Sequence, residues 1–349
     1  MHNAFFLTII ISVFSTLAVK FLAAKFNIVD SPDSARKIHA KAVPLLGGVA
    51  IGFSFFLALY LNRTDILARG LTYAHILSFW LGALVIIIGG ALDDVFNLKP
   101  KQQIIFPALA CLFALLGGIS IVKITNPFGP PIGETSGLIY FGAVLAAVLT
   151  FGWLMGMMYT TKLLDGVDGL VSGLGAISGL IIFLFTTTTK YYQPDVGLMA
   201  LIFAAACLGF LLFNFYPAKI FLGESGSLLI GYVIGILAII SGGKIAIALL
   251  IMGIPVLDLG WTILRRLLKK QNPFTVPDKM HLHHRLLALG LSQRQTVLLY
   301  YFLASAFGLA ALFLQSRGKL FALATLPAVM AGLAFFSAYY GISNKGVDR

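Results

Sequence analysis

Apolar blocks of membrane-spanning length alternate with short polar stretches along almost the whole chain. The first block, Phe5 to Ala24, is long enough to cross about 30 Å of hydrocarbon. No small-residue cleavage site follows it, so it reads as a first span rather than a removed signal. Further blocks fall near 47–62, 76–92, 103–122, 138–157, 170–187, 197–214, 226–241, 245–264, 296–314 and 319–340. The pattern predicts an all-α integral membrane protein, a polytopic bundle of eleven transmembrane helices forming a single domain over residues 1–349. Pro255, near the end of the ninth block, predicts a kink there.

Composition supports this class. The chain is 59 % hydrophobic and 11 % charged, far from soluble averages, and no length remains for a separate soluble domain. Cys111 and Cys207 each lie inside an apolar block, so no disulfide framework is implied. The net charge of +12 is spread over loops, which excludes a nucleic-acid face and suits anionic lipid and anionic substrates.

An odd number of spans puts the termini on opposite sides. Most of the 25 Lys and Arg residues fall in the loops after the odd-numbered spans. That face is then cytoplasmic, the N-terminus is outside and the C-terminus inside. Of the 13 acidic residues only Asp65, Glu134 and Asp195 fall on the other face. A basic excess there is expected of any membrane protein; an acidic excess on the same face points to a site.

The polar stretches on that face, loops 25–47, 93–102, 158–170, 214–226 and 265–295, hold the candidate chemistry. Asp93 and Asp94 sit together at the mouth of a span, where burying a charge is costly. Asp165 and Asp168 are three residues apart with glycines after each, a spacing that places both on one face of a helical turn. Glu224 and Ser225 precede an apolar block and suit either a helix cap or a cation site. Asp258 follows Pro255, and a simple arginine pair with Arg265 or Arg266 would account for it. His281, His283 and His284 are half of the chain's six histidines and lie beside Arg285. Their spacing lacks a zinc pattern and suits phosphate oxygens. Arg36, Lys37, His39 and Lys41 precede Gly47-Gly48 in the first loop. The Gly152/Gly156 and Gly231/Gly235 pairs read as helix-packing surfaces, and the Asn126 to Gly137 loop as a connector. No P-loop or dinucleotide-binding glycine motif occurs.

Taken in order, these loops resemble the polyprenyl-phosphate N-acetylhexosamine-1-phosphate transferases. That family includes the peptidoglycan translocase-I enzymes and the WecA/TagO-like enzymes. The resemblance covers nearly the whole chain. It rests on Asp30-x-Pro, Arg36-Lys37-x-His39, Pro44-x-x-Gly47-Gly48, Asp93-Asp94-x-x-x-Leu98 and Asp165-Gly166-x-Asp168-Gly169. It continues through Asn214-x-x-Pro217-Ala218-Lys219-x-Phe221-x-Gly223-Glu224-x-Gly226-Ser227, Pro255-x-x-Asp258 and His281-x-His283-His284-Arg285. The histidine segment resembles the WecA/TagO branch. Two places depart from the family's pattern: Tyr159 and Lys162 stand where Asn-x-x-Asn is usual, and Glu224 stands where Asp is usual.

The resemblance implies transfer of a sugar-1-phosphate, GlcNAc-1-phosphate in the main reading, from a UDP-N-acetylhexosamine to polyprenyl (undecaprenyl) phosphate, with UMP released. It implies Mg²⁺, or Mn²⁺ in its place, and a multi-pass protein of the cytoplasmic membrane with its site on the cytoplasmic face. By the same resemblance Asp93, Asp94, Asp168 and His283 are catalytic, with Asp93 handling the proton on the lipid phosphate. Glu224, Asp165 and Asp168 bind metal. Lys37, His39, Lys162, Asn214, Phe221, His281, His284 and Arg285 bind substrate, with Phe221 stacking on uracil and Asn214 near the uridine. A phospho-MurNAc-pentapeptide donor is the competing enzyme reading; a transporter or a non-catalytic scaffold is the competing class. The sequence leaves monomer and homodimer both open.

Overall fold

The computed structural model of the chain describes residues 1–30, 42–67, 71–129, 137–188, 192–242, 244–270 and 281–345, with side chains to 335. Lys37 and His39 lie outside the described residues. The elements follow the apolar blocks. Helix α1 (His2–Lys25) leads through the ribbon β1 (Val29–Asp30) and β2 (Val43–Pro44) to α2 (Gly47–Leu61), α3 (Arg63–Ile66) and α4 (Tyr73–Phe96). Then come α5 (Pro100–Gln103), α6 (Ile105–Leu116), a second ribbon of β3 (Lys123–Thr125) and β4 (Leu138–Tyr140), α7 (Ala143–Leu164), α8 (Leu170–Thr186), α9 (Pro194–Asn214) and α10 (Gly223–Ile240). The chain continues through α11 (Ile245–Ile251), α12 (Gly253–Leu268), α13 (Leu282–Ala288), α14 (Gln293–Phe313) and α15 (Ser316–Lys345). The expected connector Asn126 to Gly137 is flanked by three antiparallel pairs, Lys123 with Tyr140, Ile124 with Ile139 and Thr125 with Leu138.

Helix α1 shows why these blocks fold as they do. Ala4, Thr8, Ser12 and Thr16 are buried, whereas Phe6, Phe14 and Phe21 are exposed. A four-residue spacing lines one helix face. Small residues on that face let the backbone approach α9, where the Ser12 hydroxyl donates to the Ala206 carbonyl at 2.7 Å. Large apolar side chains outside and small ones inside is the arrangement of a protein solvated by lipid.

Among the described residues, 7 helices are long and apolar enough to cross a membrane, or up to 8 if the bent pair α11 and α12 is one span. Gly47–Leu61, Pro100–Leu116 and Leu170–Thr186 are shorter apolar helices. The molecule is therefore an all-α polytopic membrane protein. Helices α9 and α10 form its centre: 78 % and 83 % of their most apolar stretches are buried, against 6 % for Ser316–Phe335 of α15.

The ninth apolar block is broken rather than continuous. Helices α11 and α12 meet at an angle of 83°. The break falls at Met252, and Pro255 occupies the first turn of α12, where its missing N–H is not needed. Beyond the break, α12 buries Asp258, Thr262 and Arg266 and exposes Trp261, Leu264 and Leu268. Its polar stripe faces protein, and its apolar stripe faces outward.

Two glycines let α2 and α4 meet the start of α10. A Cβ on Gly48 would lie 2.1 Å from Gly226 N, and one on Gly90 would lie 2.3 Å from Ser225 Cα. Both obstacles are backbone, so neither can rotate away. Gly231 and Gly235 serve the expected packing role, against Met157 and Leu154 of α7. Gly152 and Gly156 do not: nothing lies within 4 Å of a Cβ on either, so this pair faces open space among the described residues. Gly90→Val is accordingly expected to destabilise the fold by about 1–3 kcal/mol or more. Gly152→Val is expected to leave it within about 0.5 kcal/mol of the unsubstituted protein. Thermal unfolding of the two variants in detergent measures the difference.

Candidate active site

The site forms where the C-terminal ends of α4, α7 and α9 meet the N-terminal ends of α2, α8 and α10. Short contacts join these ends directly. Gly47 N donates to Phe221 O at 3.0 Å, and Ser172 Oγ donates to Asn214 Oδ1 at 2.7 Å. Helix α10 begins at Gly223 with φ 73°, and a Cβ there would lie 2.5 Å from Asp94 Oδ2. Asp94 reaches across from α4 and accepts from Glu224 N at 2.8 Å and from Ser225 Oγ at 3.4 Å. An anion at the positive end of a helix is favourable, so Asp94 caps a helix 130 residues further along the chain.

Asp93 and Asp94 take different environments. Asp93 is buried, and its Oδ1 accepts from Leu98 N at 2.7 Å and from Gln103 Nε2 at 3.0 Å. It closes the turn after α4, whereas Asp94 faces the other carboxylates. Glu224 Oε1 pairs with Lys162 Nζ at 3.0 Å, and Lys162 also donates to Gln103 Oε1 at 3.0 Å. Glu224 Oε2 is buried with no hydrogen-bond partner among the described residues. Lys162 and Glu224, two of the three residues at which the resemblance is broken in the sequence, are therefore partners of each other.

Asp165 and Asp168 occupy the turn between α7 and α8, not a helical turn, with Asp165 as the C-cap of α7. Asp168 Oδ2 accepts from Ala218 N at 2.9 Å and so ties this turn to the loop after α9. Burial, with Glu224, Asp94 and Asp168 nearby, holds the Asp165 carboxyl well above the usual carboxylate range. Among the described residues no three His, Cys, Asp or Glu side chains form a ready-made metal cluster.

The histidine segment lies over the same turn. A Cβ on Gly166 would be 3.2 Å from His283 Nε2 and 3.7 Å from His284 Nε2. His281 and His283 are stacked at 5.7 Å, and His283 and His284 lie 4.2 Å apart. Burial, then His284 and His281, lowers the His283 pKa well below its usual value, so this ring is neutral. Neither of its nitrogens has a partner among the described residues. Asp258 accepts from Leu282 N at 3.2 Å and holds His281 Nδ1 at 2.9 Å. Asp258 thus holds the start of the histidine segment, a partner beyond the simple arginine pair that would have accounted for it. Arg285 is half-buried in α13.

The model of glycosyl transferase family 4 matches residues 76–242. A relative from Bacillus subtilis (strain 168), named "Probable undecaprenyl-phosphate N-acetylglucosaminyl 1-phosphate transferase", is 34 % identical over 320 residues, covering 90 % of this chain and 84 % of the relative. The chain belongs to glycosyl transferase family 4. Two further members of the family are similar over most of their length. The decaprenyl-phosphate N-acetylglucosaminephosphotransferase of Mycobacterium tuberculosis (strain CDC 1551 / Oshkosh) is 32 % identical, covering 84 % of this chain and 77 % of that protein. The undecaprenyl-phosphate alpha-N-acetylglucosaminyl 1-phosphate transferase of Thermotoga maritima is 32 % identical, covering 79 % and 78 %.

The family match takes in Asp93, Asp94, Lys162, Asp165, Asp168, Asn214, Phe221 and Glu224. His281, His283, His284 and Arg285 lie beyond it, yet the fold carries His283 and His284 to Gly166. Asn214 is buried, and both ends of its amide are engaged, with Ser172 and with Ile220 O at 3.0 Å. It fastens the loop that carries Phe221, which is half-buried. Sequence reasoning passed over Gln103. The only sign of Gln103 was a polar residue at the start of an apolar block.

Asp165 generates a pH-dependent prediction. Its pKa is raised in the fold but ordinary, about 3.9, in the unfolded chain. The folded state then binds the proton more tightly, so the group weakens the fold as pH rises above the unfolded value. Asp165→Asn is expected to raise the melting temperature of chelator-treated protein at about pH 8, with the gain shrinking toward about pH 4. Equal melting temperatures at the higher pH would contradict this account of Asp165.

Proposed function

We propose that the protein transfers GlcNAc-1-phosphate from UDP-GlcNAc to undecaprenyl phosphate, giving undecaprenyl diphosphate GlcNAc and UMP. The named activities of the relatives support this. The observation that carries it in this chain is the gathering of Asp94, Asp165, Asp168 and Glu224 around one turn and one helix start. Phosphoryl transfer between two anions is limited mainly by positioning and charge, and few groups need to do covalent chemistry.

The donor set fits a hard cation. The carboxylates supply oxygen ligands of the kind Mg²⁺ prefers, and Glu224 Oε2 is a buried, unpartnered oxygen. Glu224, Asp165 and Asp168 would hold Mg²⁺. When bound, it supplies positive charge against the donor's diphosphate. A lipid phosphate oxygen attacks the sugar-bearing phosphorus of the donor, the bond to the UMP oxygen breaks, and UMP leaves.

The remaining roles follow from the environments described. Asp93 acts by position: its carboxylate is fixed by Leu98 N and Gln103. A phosphate monoester with a second pKa near 6 needs little help to ionise at neutral pH. Lys162 meets a phosphate oxygen. His283, neutral with two open nitrogens, together with His281, His284 and Arg285, meets the diphosphate and sugar. Phe221 stacks on uracil, and Asn214 supports it from within the fold. Lys37 and His39 contact nucleotide or lipid phosphate. The eleven apolar segments each cross the bilayer or dip into it, with the N-terminus outside and the site in the cytoplasm. The excess of basic residues on that face supports this orientation.

UMP release by purified protein with undecaprenyl phosphate and Mg²⁺ tests the reading. Turnover is expected with UDP-GlcNAc and not with UDP-MurNAc-pentapeptide; the reverse would assign the chain to the peptidoglycan branch. Asp94→Asn and Glu224→Gln are each expected to lower kcat by about 100-fold or more. Chelation of the divalent ion is expected to abolish turnover.

A further inference from the structure

Four side chains from four helices form one continuous bridge across the site. Asp93, at the end of α4, accepts from Gln103 Nε2 at 3.0 Å, and Gln103 also donates to Leu98 O at 3.1 Å. Gln103, at the end of α5, accepts from Lys162 of α7 through Oε1 at 3.0 Å. Lys162 then pairs with Glu224 of α10 at 3.0 Å. These partners fix which way the Gln103 amide points. Its NH₂ faces a carboxylate and a carbonyl, so only its oxygen can face the ammonium.

We infer that Gln103 is a positioning residue, which acts by setting where the Lys162 ammonium stands among the site's carboxylates. This rests on the transferase reading given above. The ammonium on its own would follow the carboxylates. A lysine has a long, flexible stem and behaves as a point charge with rotatable donors. Its carboxylate partner is Glu224 Oε1 at 3.0 Å, one flexible side chain against another, so attraction alone leaves the position of the ammonium loose. Gln103 adds a neutral acceptor, itself anchored on Asp93 and Leu98 O, and so fixes the ammonium opposite Glu224 Oε1. Two consequences follow. Glu224 is held by one oxygen, which leaves Oε2 buried and unpartnered. The ammonium has three donors and these contacts use two, so the third can serve a phosphate oxygen of the substrate. The same amide ties this arrangement to Asp93. Asp93 keeps its 2.7 Å contact from Leu98 N without Gln103, so the loss of this amide falls on Lys162.

The test combines a double-mutant cycle with chemical labelling of Lys162. Gln103→Met keeps the length of the side chain and removes both hydrogen-bonding ends; Gln103→Leu is a second, independent removal should the first fold poorly. Gln103→Met is expected to lower kcat for UMP release by roughly 10- to 100-fold, the range for groups that orient a metal-site residue, with KM for UDP-GlcNAc little changed. Lys162→Met is expected to lose at least as much. Because Gln103 acts through Lys162, the double variant is expected to fall no more than about threefold below Lys162→Met. Reductive methylation read by peptide mass spectrometry gives a measure independent of turnover: Lys162 is expected to label several-fold faster in Gln103→Met, with Lys99 and Lys101 unchanged. Losses that multiply in the double variant, an unchanged kcat in both Gln103 variants, or unchanged labelling of Lys162 would each overturn the role of Gln103 while the transferase reading stands. Absence of UMP from the unsubstituted protein with every donor would instead remove that reading, and this role with it.

Discussion

The start of α10 is the constraint on which the rest of the structure turns. Its first N–H groups point into a crowd of helix ends with no helical partner of their own. Asp94 answers them from α4, and Gly48 and Gly90 bring the backbones of α2 and α4 close enough for that to happen. The result places a carboxylate at the positive end of one helix and Glu224 in the next position along it. The anionic site is thus a by-product of solving the helix end: the groups that satisfy the backbone are the groups that gather charge.

That arrangement is costly without a cation. Four carboxylates in a partly buried site repel one another, and desolvation adds to the cost. Among the described residues the Lys162 ammonium offsets part of this charge. That ammonium comes from 62 residues away in sequence and meets Glu224 at 3.0 Å.

Much of this was legible in the sequence, for reasons that differ by element. The apolar blocks located the helices because a bilayer allows little else to cross it. Paired acids at block ends located Asp93, Asp94, Asp165 and Asp168, because charge there is expensive and so informative. The break at Met252 was less legible: Pro255 signalled a disturbance, but the helix restarts before it and uses it in the first turn. The distinct environments of Asp93 and Asp94 were not legible at all. Adjacent residues on a helix point about 100° apart, and only tertiary contacts decide what each meets. Gln103 was invisible for a similar reason, since its partners lie 10 and 59 residues away.

Helix α12 has two neighbours of opposite kind. Outward it offers Trp261, Leu264 and Leu268; inward, Asp258 grips the histidine segment at His281 and Leu282. The 83° break frees it from the axis of α11. One helix therefore joins two surfaces: any shift of its outward apolar side would carry Asp258, and with it His281, along.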